Sequence, residues 1–311
     1  MRLGVAGTGH LGFHHARIGR DLADSVRIYD TDDRRMREVA GELGVVAAPS
    51  LDDLIASVDA LIVACTTVSH YDVVTRALEA GRHVLVEKPL ASGVEQGREM
   101  VRLASGKGLV LAVGHVERFN PAITAAAGLI DGPLFVEGHR MAPFKPRGTD
   151  VSVVMDLMIH DIDLVLSFVR SPVREIHASG IPVLSDKIDI ASARLLFENG
   201  AVVNMTASRI SAVPVRKLRF FQAGRYVSVD FAGKSVSALD LRGESIVPVP
   251  VEVRDTDALT EEISDFLGAC GSGGDPVVTG SDGLRALEVA EIISERMNES
   301  LRSPLETLGG Q

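Results

Sequence analysis

Three sets of residues in this sequence have the types and spacing for chemistry. Gly7-Thr8-Gly9-His10-Leu11-Gly12 is a GxGxxG run, whose glycines permit a tight turn and let backbone N–H groups approach a pyrophosphate. Glu87-Lys88-Pro89 places an amine before a proline that biases it away from helix, and a cation nearby would lower its pKa and let it orient a substrate or pass a proton. Asp156, His160, Asp163 and Ser167 lie in the apolar stretch Ser152–Val169 and share one stripe at about 100° per residue, with Asp161 pointing well away. Carboxylates amid Leu, Ile, Val and Met need partners or a ligand. An acid and an imidazole aimed together suit general acid–base catalysis; a helix cap with a hydrogen-bonded core histidine fits the same pattern.

Up to Asn120-Pro121 the sequence alternates short apolar runs with amphipathic stretches, the rhythm of parallel strands joined by crossover helices. The runs are Leu3–Ala6, Val26–Tyr29, Ala60–Ala64, His83–Val86 and Leu109–Val113. Helices are expected over Asp32–Leu43, His70–Ala80 and Val94–Ala104, with Gly44 and Gly81 as stops. Beyond about residue 175 the pattern is strand, turn, strand, over Ile188–Phe197, Ala201–Ser208, Lys217–Phe221 and Tyr226–Phe231. Asn199-Gly200 is a strong hairpin signal and Ala223-Gly224 a weaker one. Helices near Asp257–Ala269 and Ser281–Ser300 close the sequence. The expected fold is α/β followed by α+β: a Rossmann, doubly wound parallel sheet over 1–121 and a largely antiparallel open sheet over 122–311. Function is expected where the halves meet.

The GxGxxG run follows a strand and opens a helix, the context in which it means dinucleotide binding. Eighteen residues after Gly12, Asp30 ends the next strand, placed to accept from the adenosine ribose hydroxyls and to repel a 2′-phosphate. NAD is therefore expected over NADP, with Arg34 and Arg35 nearby as a counterweight. Gly233-Lys234-Ser235 resembles the end of a Walker A loop, but that pattern's first glycine would fall on Ser228 among strands, so no ATP site is expected. His10 and His14 are four apart on one helix, with His15 beside them; no carboxylate or thiolate completes a metal spacing, and His10 and His14 are expected to pack beside the cofactor.

The 311 residues suffice for two domains with cores of their own. A net charge of −10 argues against nucleic acid and anionic membrane as partners. Cys65 and Cys270 form neither a disulfide framework nor a zinc knuckle, and no stretch reaches the ~18 apolar residues of a membrane span. A soluble, cytoplasmic protein is expected, with no leader ahead of the first strand.

Gly7–Gly12, Glu87-Lys88-Pro89, the Asp156-x-x-x-His160 spacing and the switch from Rossmann half to sheet half together resemble the Gfo/Idh/MocA oxidoreductases over essentially the whole sequence. Members transfer hydride between a nicotinamide and a carbon of a sugar or polyol. The resemblance implies Lys88, Asp156 and His160 as the catalytic group and Thr66, His70 and Glu87 beside the cofactor. One departure is Thr66-Thr67-Val68-Ser69-His70, where the family often has Thr-Pro before the histidine. The segments Gly114–Pro121 and Asp156–Asp163 are most similar to members that oxidise UDP-N-acetylglucosamine at C3, which implies His160 or Lys88 as the base. A free sugar or inositol-like polyol is the second substrate expected, and a non-catalytic NAD sensor on the same scaffold is the competing class.

A UDP substrate implies basic residues near it. Arg140, Lys145 and Arg147 precede the catalytic stretch, and Arg209, Arg216, Lys217 and Arg219 follow the hairpin. Arg118 and Asn120, where the first half ends, are placed to touch nicotinamide or substrate or to serve as a hinge. Asp163 and Arg209 complete the expected substrate contacts. An exposed sheet face in the second half suggests a homodimer or homotetramer.

Overall fold

The structure, a computed structural model, describes residues 1–144 and 152–308, with side chains described through residue 300. It divides into two compact units: Met1–Phe119 with Asp257–Leu287, and Asn120–Thr256 with the chain from Glu288 onward.

In the first unit the apolar runs become six parallel strands, β1 (Arg2–Ala6), β2 (Ser25–Tyr29), β3 (Val46–Ala47), β4 (Ala60–Val63), β5 (His83–Glu87) and β6 (Leu111–Gly114). Their order is β3-β2-β1-β4-β5-β6. Every residue of β4 is buried, as expected for a strand covered on both faces. The crossovers carry α1 (His10–Leu22), α2 (Asp33–Leu43), α3 (Leu51–Ser57), α4 (His70–Glu79) and α5 (Val94–Lys107). The Asp32 side chain caps α2 by accepting from Arg35 N, and Gly44 ends it in the left-handed conformation at φ +66°. Because all six strands are parallel, the segments after β1, β2, β4 and β5 emerge at one carboxyl edge. The strand order reverses between β1 and β4, the place where such sheets bind ligands.

The second unit opens with α6 (Pro121–Ala126) and holds β7 (Phe135–Met141), α7 (Ile159–Val169) and β8 (Val173–Ile181). Next come β9 (Ile190–Phe197), β10 (Val202–Ser208), β11 (Val215–Gln222), β12 (Arg225–Asp230), β13 (Ser235–Arg242) and β14 (Ser245–Val249). The sheet order is β14-β13-β12-β11-β7-β10-β9-β8, antiparallel except between β7 and β10. Gly200 and Gly224 take φ +86° and +71° in the two hairpins that the sequence marks. β7 escapes sequence reading because its buried face carries Gly138 and Arg140 beside Val136, which hides the period-two alternation.

The chain closes with α8 (Ala258–Ser272) and α9 (Gly280–Leu308). The expected boundary, with everything after 121 in one domain, differs from the observed division. Ile263, Phe266 and Ala269 of α8 are buried in one cluster with Leu3, Val5 and Ile28 of the parallel sheet. Removing each larger apolar side chain from water stabilises by about 1.5–3 kcal/mol, so this face binds α8 to the first unit rather than to the strands before it.

Candidate active site

The GxGxxG turn is shaped by close backbone approach. Gly7 has φ +98°, and a Cβ there would lie 2.6 Å from Ala64 C and Cys65 N. At Gly12 a Cβ would lie 1.8 Å from Gly7 O, so only glycine lets α1 start this close to the strand. Gly9 is exposed, and nothing stands within 4 Å of its Cβ position. This leaves the backbone N–H groups at the start of α1 open to a phosphate, the fit a dinucleotide needs. At the end of β2, Asp30 Oδ2 accepts from Thr8 N at 2.5 Å and from Thr8 Oγ1 at 2.9 Å, while Oδ1 accepts from Asp32 N at 2.9 Å. Burial works against this charge, but the hydrogen bonds prevail and hold the carboxyl below its usual range. The carboxylate is thus fixed beside the turn in its anionic form. Arg35 donates to Thr8 O at 3.2 Å and lies over the Phe13 ring, while Arg34 points to solvent.

At the carboxyl end of β5, Glu87 is nearly enclosed and accepts from His15 Nε2 of α1 at 2.7 Å. Lys88 follows, half-buried, and its peptide bond to Pro89 is cis. His70 lies behind this corner at 1% exposure, with Nδ1 3.0 Å from Pro89 O and Nε2 3.3 Å from Cys65 O. Burial lowers its pKa, and the neutral ring donates to only one of these two carbonyls at a time. Burial also pushes the Cys65 thiol up to about 11, which keeps it out of nucleophilic chemistry at neutral pH.

In the second unit, the expected single helix over Ser152–Val169 is two pieces. Val154–Met158 forms a π-helical turn and α7 continues from Ile159. The wider turn re-aims Asp156 relative to His160, departing from the 100° spacing read from the sequence, and such turns are frequent at functional sites. Both side chains are partly buried. Asp161, which points away from their stripe, is held by Arg140 of β7 in an ion pair whose two side chains are 3% and 4% exposed.

The description "Oxidoreductase family, NAD-binding Rossmann fold" matches residues 1–115, and "GFO/IDH/MocA C-terminal domain" matches residues 129–223. A UDP-N-acetylglucosamine 3-dehydrogenase of Acidithiobacillus ferrooxidans is 40% identical over 299 residues, covering 93% of this chain and 95% of that one. The chain belongs to the Gfo/Idh/MocA oxidoreductase family. A solved structure of the Acidithiobacillus enzyme superimposes with a TM-score of 0.90 at 38% identity, covering 95% and 97% of the two chains. The scyllo-inositol 2-dehydrogenase (NAD(+)) of Bacillus subtilis is 26% identical, covering 93% of this chain and 92% of that one.

A Gfo/Idh/MocA oxidoreductase takes a nicotinamide dinucleotide, and the first unit brings Gly7, Thr8, Gly9, Gly12 and Asp30 together where β1 and β2 end. Leu11, His10 and Thr66 are exposed along its rim. Other expected residues make contacts within the protein. His70 and Glu87 form the wall behind Lys88. His10 and His14 stack edge to face at 4.9 Å between ring centroids. Asn120 caps α6, its Oδ1 accepting from Ala122 N at 3.1 Å. Arg118 is partly buried on the 3-10 turn before it, and Asp163 is buried in α7.

The expected basic cluster is largely committed to the protein itself. Arg140 is paired with Asp161, and Arg209 is 5% exposed with Nε 3.8 Å from Asp189 Oδ1. Lys217 and Arg219 pair with Asp230 and Glu137 on neighbouring strands, and Arg216 is exposed. Lys145 and Arg147 lie outside the described residues. Lys234 of the rejected Walker-like run sits in the turn before β13 at φ +45° and pairs with Asp255. The residues that sequence reading missed are Glu262, enclosed near Glu87, and Asp189, which accepts from the backbone of Val183, Leu184 and Ser185. A buried acid within an amphipathic helix was the only available signal for Glu262.

Proposed function

We propose that this chain is an NAD-dependent dehydrogenase that oxidises UDP-N-acetylglucosamine at C3 to the 3-keto sugar. The observation that carries the reading is the similarity, along both halves of the chain, to the Acidithiobacillus enzyme of that activity. The lesser similarity to an inositol dehydrogenase makes a free polyol the competing substrate.

A bound nicotinamide would supply the acceptor for the hydride of the carbinol carbon. His160 takes the hydroxyl proton as the general base. Asp156 orients that imidazole, and Lys88 polarises the oxygen as it becomes a carbonyl. Gly7 to Gly12 receive the pyrophosphate, and Asp30 accepts from the ribose hydroxyls, which favours NAD over NADP. Arg118 and Asp163 remain candidate substrate contacts. Arg209 and Asn120 support the fold around them.

No helix among the described residues is long and apolar enough to cross a membrane. Two free cysteines fit a reducing, cytoplasmic setting. Exposed Leu241 and Ile246 on the outer strands of the open sheet support a homodimer or homotetramer, which sedimentation would resolve. The reading is tested by NADH formation with UDP-N-acetylglucosamine, other nucleotide sugars and inositols. Turnover restricted to the UDP sugar supports it, turnover only with inositol replaces the substrate, and NAD binding without turnover on any sugar would make the chain a sensor.

A further inference from the structure

Behind the carboxyl end of β5 lies a cluster that the proposed mechanism does not use. His15 of α1, Glu87 of β5 and Glu262 of α8 each direct a nitrogen or carboxylate oxygen to within 4.8 Å of the others, all inside the first unit. His15 is fully buried and Glu262 is 2% exposed. His15 Nε2 and Glu87 Oε1 pair at 2.7 Å, while His15 Nδ1 is buried without a hydrogen-bond partner. Both carboxylate oxygens of Glu262 are buried without a hydrogen-bond donor.

Two carboxylates this close and this enclosed cannot both carry charge at low cost. One of them keeps it with support. Burial disfavours the Glu87 anion, but the hydrogen bond from His15 and the charge of Lys88 hold its carboxyl below the usual range. The other has no such support. Burial, then the negative charges of Glu87 and Asp265, push Glu262 well above it. The charges acting on Glu262 are those of Glu87 and Asp265; the elements packed against α8 are α1, which brings His15 into the cluster, and the turn Val116–Phe119, which carries Glu117 and Arg118.

We propose that Glu262 is a positioning residue of the active site: as a neutral carboxylic acid it donates its proton to Glu87, directly or across one water, and so fixes the corner that carries Lys88. A carboxylic acid is the one state of this side chain that supplies a donor where Glu87 offers acceptor sites and His15 fills one of them. The proposal rests on the reading of Lys88 as an active-site group, and that reading fails separately if Lys88→Ala keeps full turnover.

The test compares Glu262→Gln and Glu262→Ala in the full chain, with kcat, KM and the pH profile of kcat. Gln keeps the shape and supplies an N–H donor without a charge. The expected result is a fall of about ten- to a hundredfold in kcat for Ala, substantially recovered in Gln, with NAD affinity little changed in either. The infrared spectrum of the wild type is expected to hold a protonated-carboxyl band at neutral pH that Glu262→Gln removes. Equal loss in Gln and Ala, absence of that band, or one equivalent of a bound metal ion released by Glu262→Gln would each overturn the proposal, the last by assigning the cluster to a cation.

Discussion

Asp161 of α7 accepts at Oδ1 from Arg140 of β7, 3.0 Å from Nε and 2.7 Å from Nη2. The guanidinium also lies over the Phe231 ring, 5.5 Å from its centroid. The residue next to His160 is thereby bound to the middle of the open sheet. Losing one partner leaves the other charge buried, so Asp161→Ala is expected to cost about 3–5 kcal/mol in urea unfolding. Replacing both by apolar residues of similar size is expected to cost much less. A loss below about 1 kcal/mol for the single variant would remove the pair from any part in holding α7.

Gly9 and Gly12 differ in a way that separates folding from cofactor binding. A methyl group at Gly12 meets Gly7 O, whereas at Gly9 it meets nothing within 4 Å. Gly9→Ala is expected to melt close to the wild type while binding NAD at least about tenfold more weakly, because the added methyl occupies the approach of the pyrophosphate. Gly12→Ala is expected to lose stability as well. Unchanged NAD affinity in Gly9→Ala, measured by calorimetry, would place the phosphates elsewhere.

Much of this was legible in the sequence because it is local. The glycine turn, Asp30 and the parallel strands are set by residues within one βαβ unit, where hydrophobic period and turn chemistry agree. Asp161 was rightly separated from the stripe of His160 by angle alone. The partner that explains it was not legible, since Arg140 is 21 positions away and sits on a strand whose buried face looks polar. The same holds for Glu262. Its neighbours His15 and Glu87 come from distant segments, and only tertiary packing of α8 on the parallel sheet brings them together. The basic cluster is the converse case: composition shows a charge but not the carboxylate that faces Arg140, Arg209, Lys217 or Arg219.

Asp30 has a folded-state pKa below its ordinary value. The stability it contributes is therefore present above the unfolded carboxyl pKa of about 3.9 and is lost as pH falls through the lower folded value. At neutral pH it is fully ionised. Asp30→Ala is expected to raise the NADP-to-NAD ratio of kcat/KM by at least about tenfold, and an unchanged ratio would mean that another residue reads the ribose.

Glu262 behaves in the opposite sense. Its raised folded pKa means that the folded chain holds a proton the unfolded chain releases, so its contribution is present below about pH 4.3 and declines as pH rises towards the folded value. Glu262→Gln abolishes that decline. Relative to the wild type, its stability to urea is expected to increase as pH rises above the ordinary carboxyl range. A difference independent of pH would mean that Glu262 is ionised in the folded chain.

The most direct measurement is the fate of the C3 hydrogen. UDP-N-acetylglucosamine deuterated at C3, incubated with the protein and NAD, is expected to yield deuterium in the reduced nicotinamide and a 3-keto sugar. His160→Ala is expected to suppress that transfer far more than it weakens NAD binding. Reduced nicotinamide formed without the label would move the oxidised carbon elsewhere on the sugar, and label that stays wholly in an unreacted UDP sugar would contradict the account.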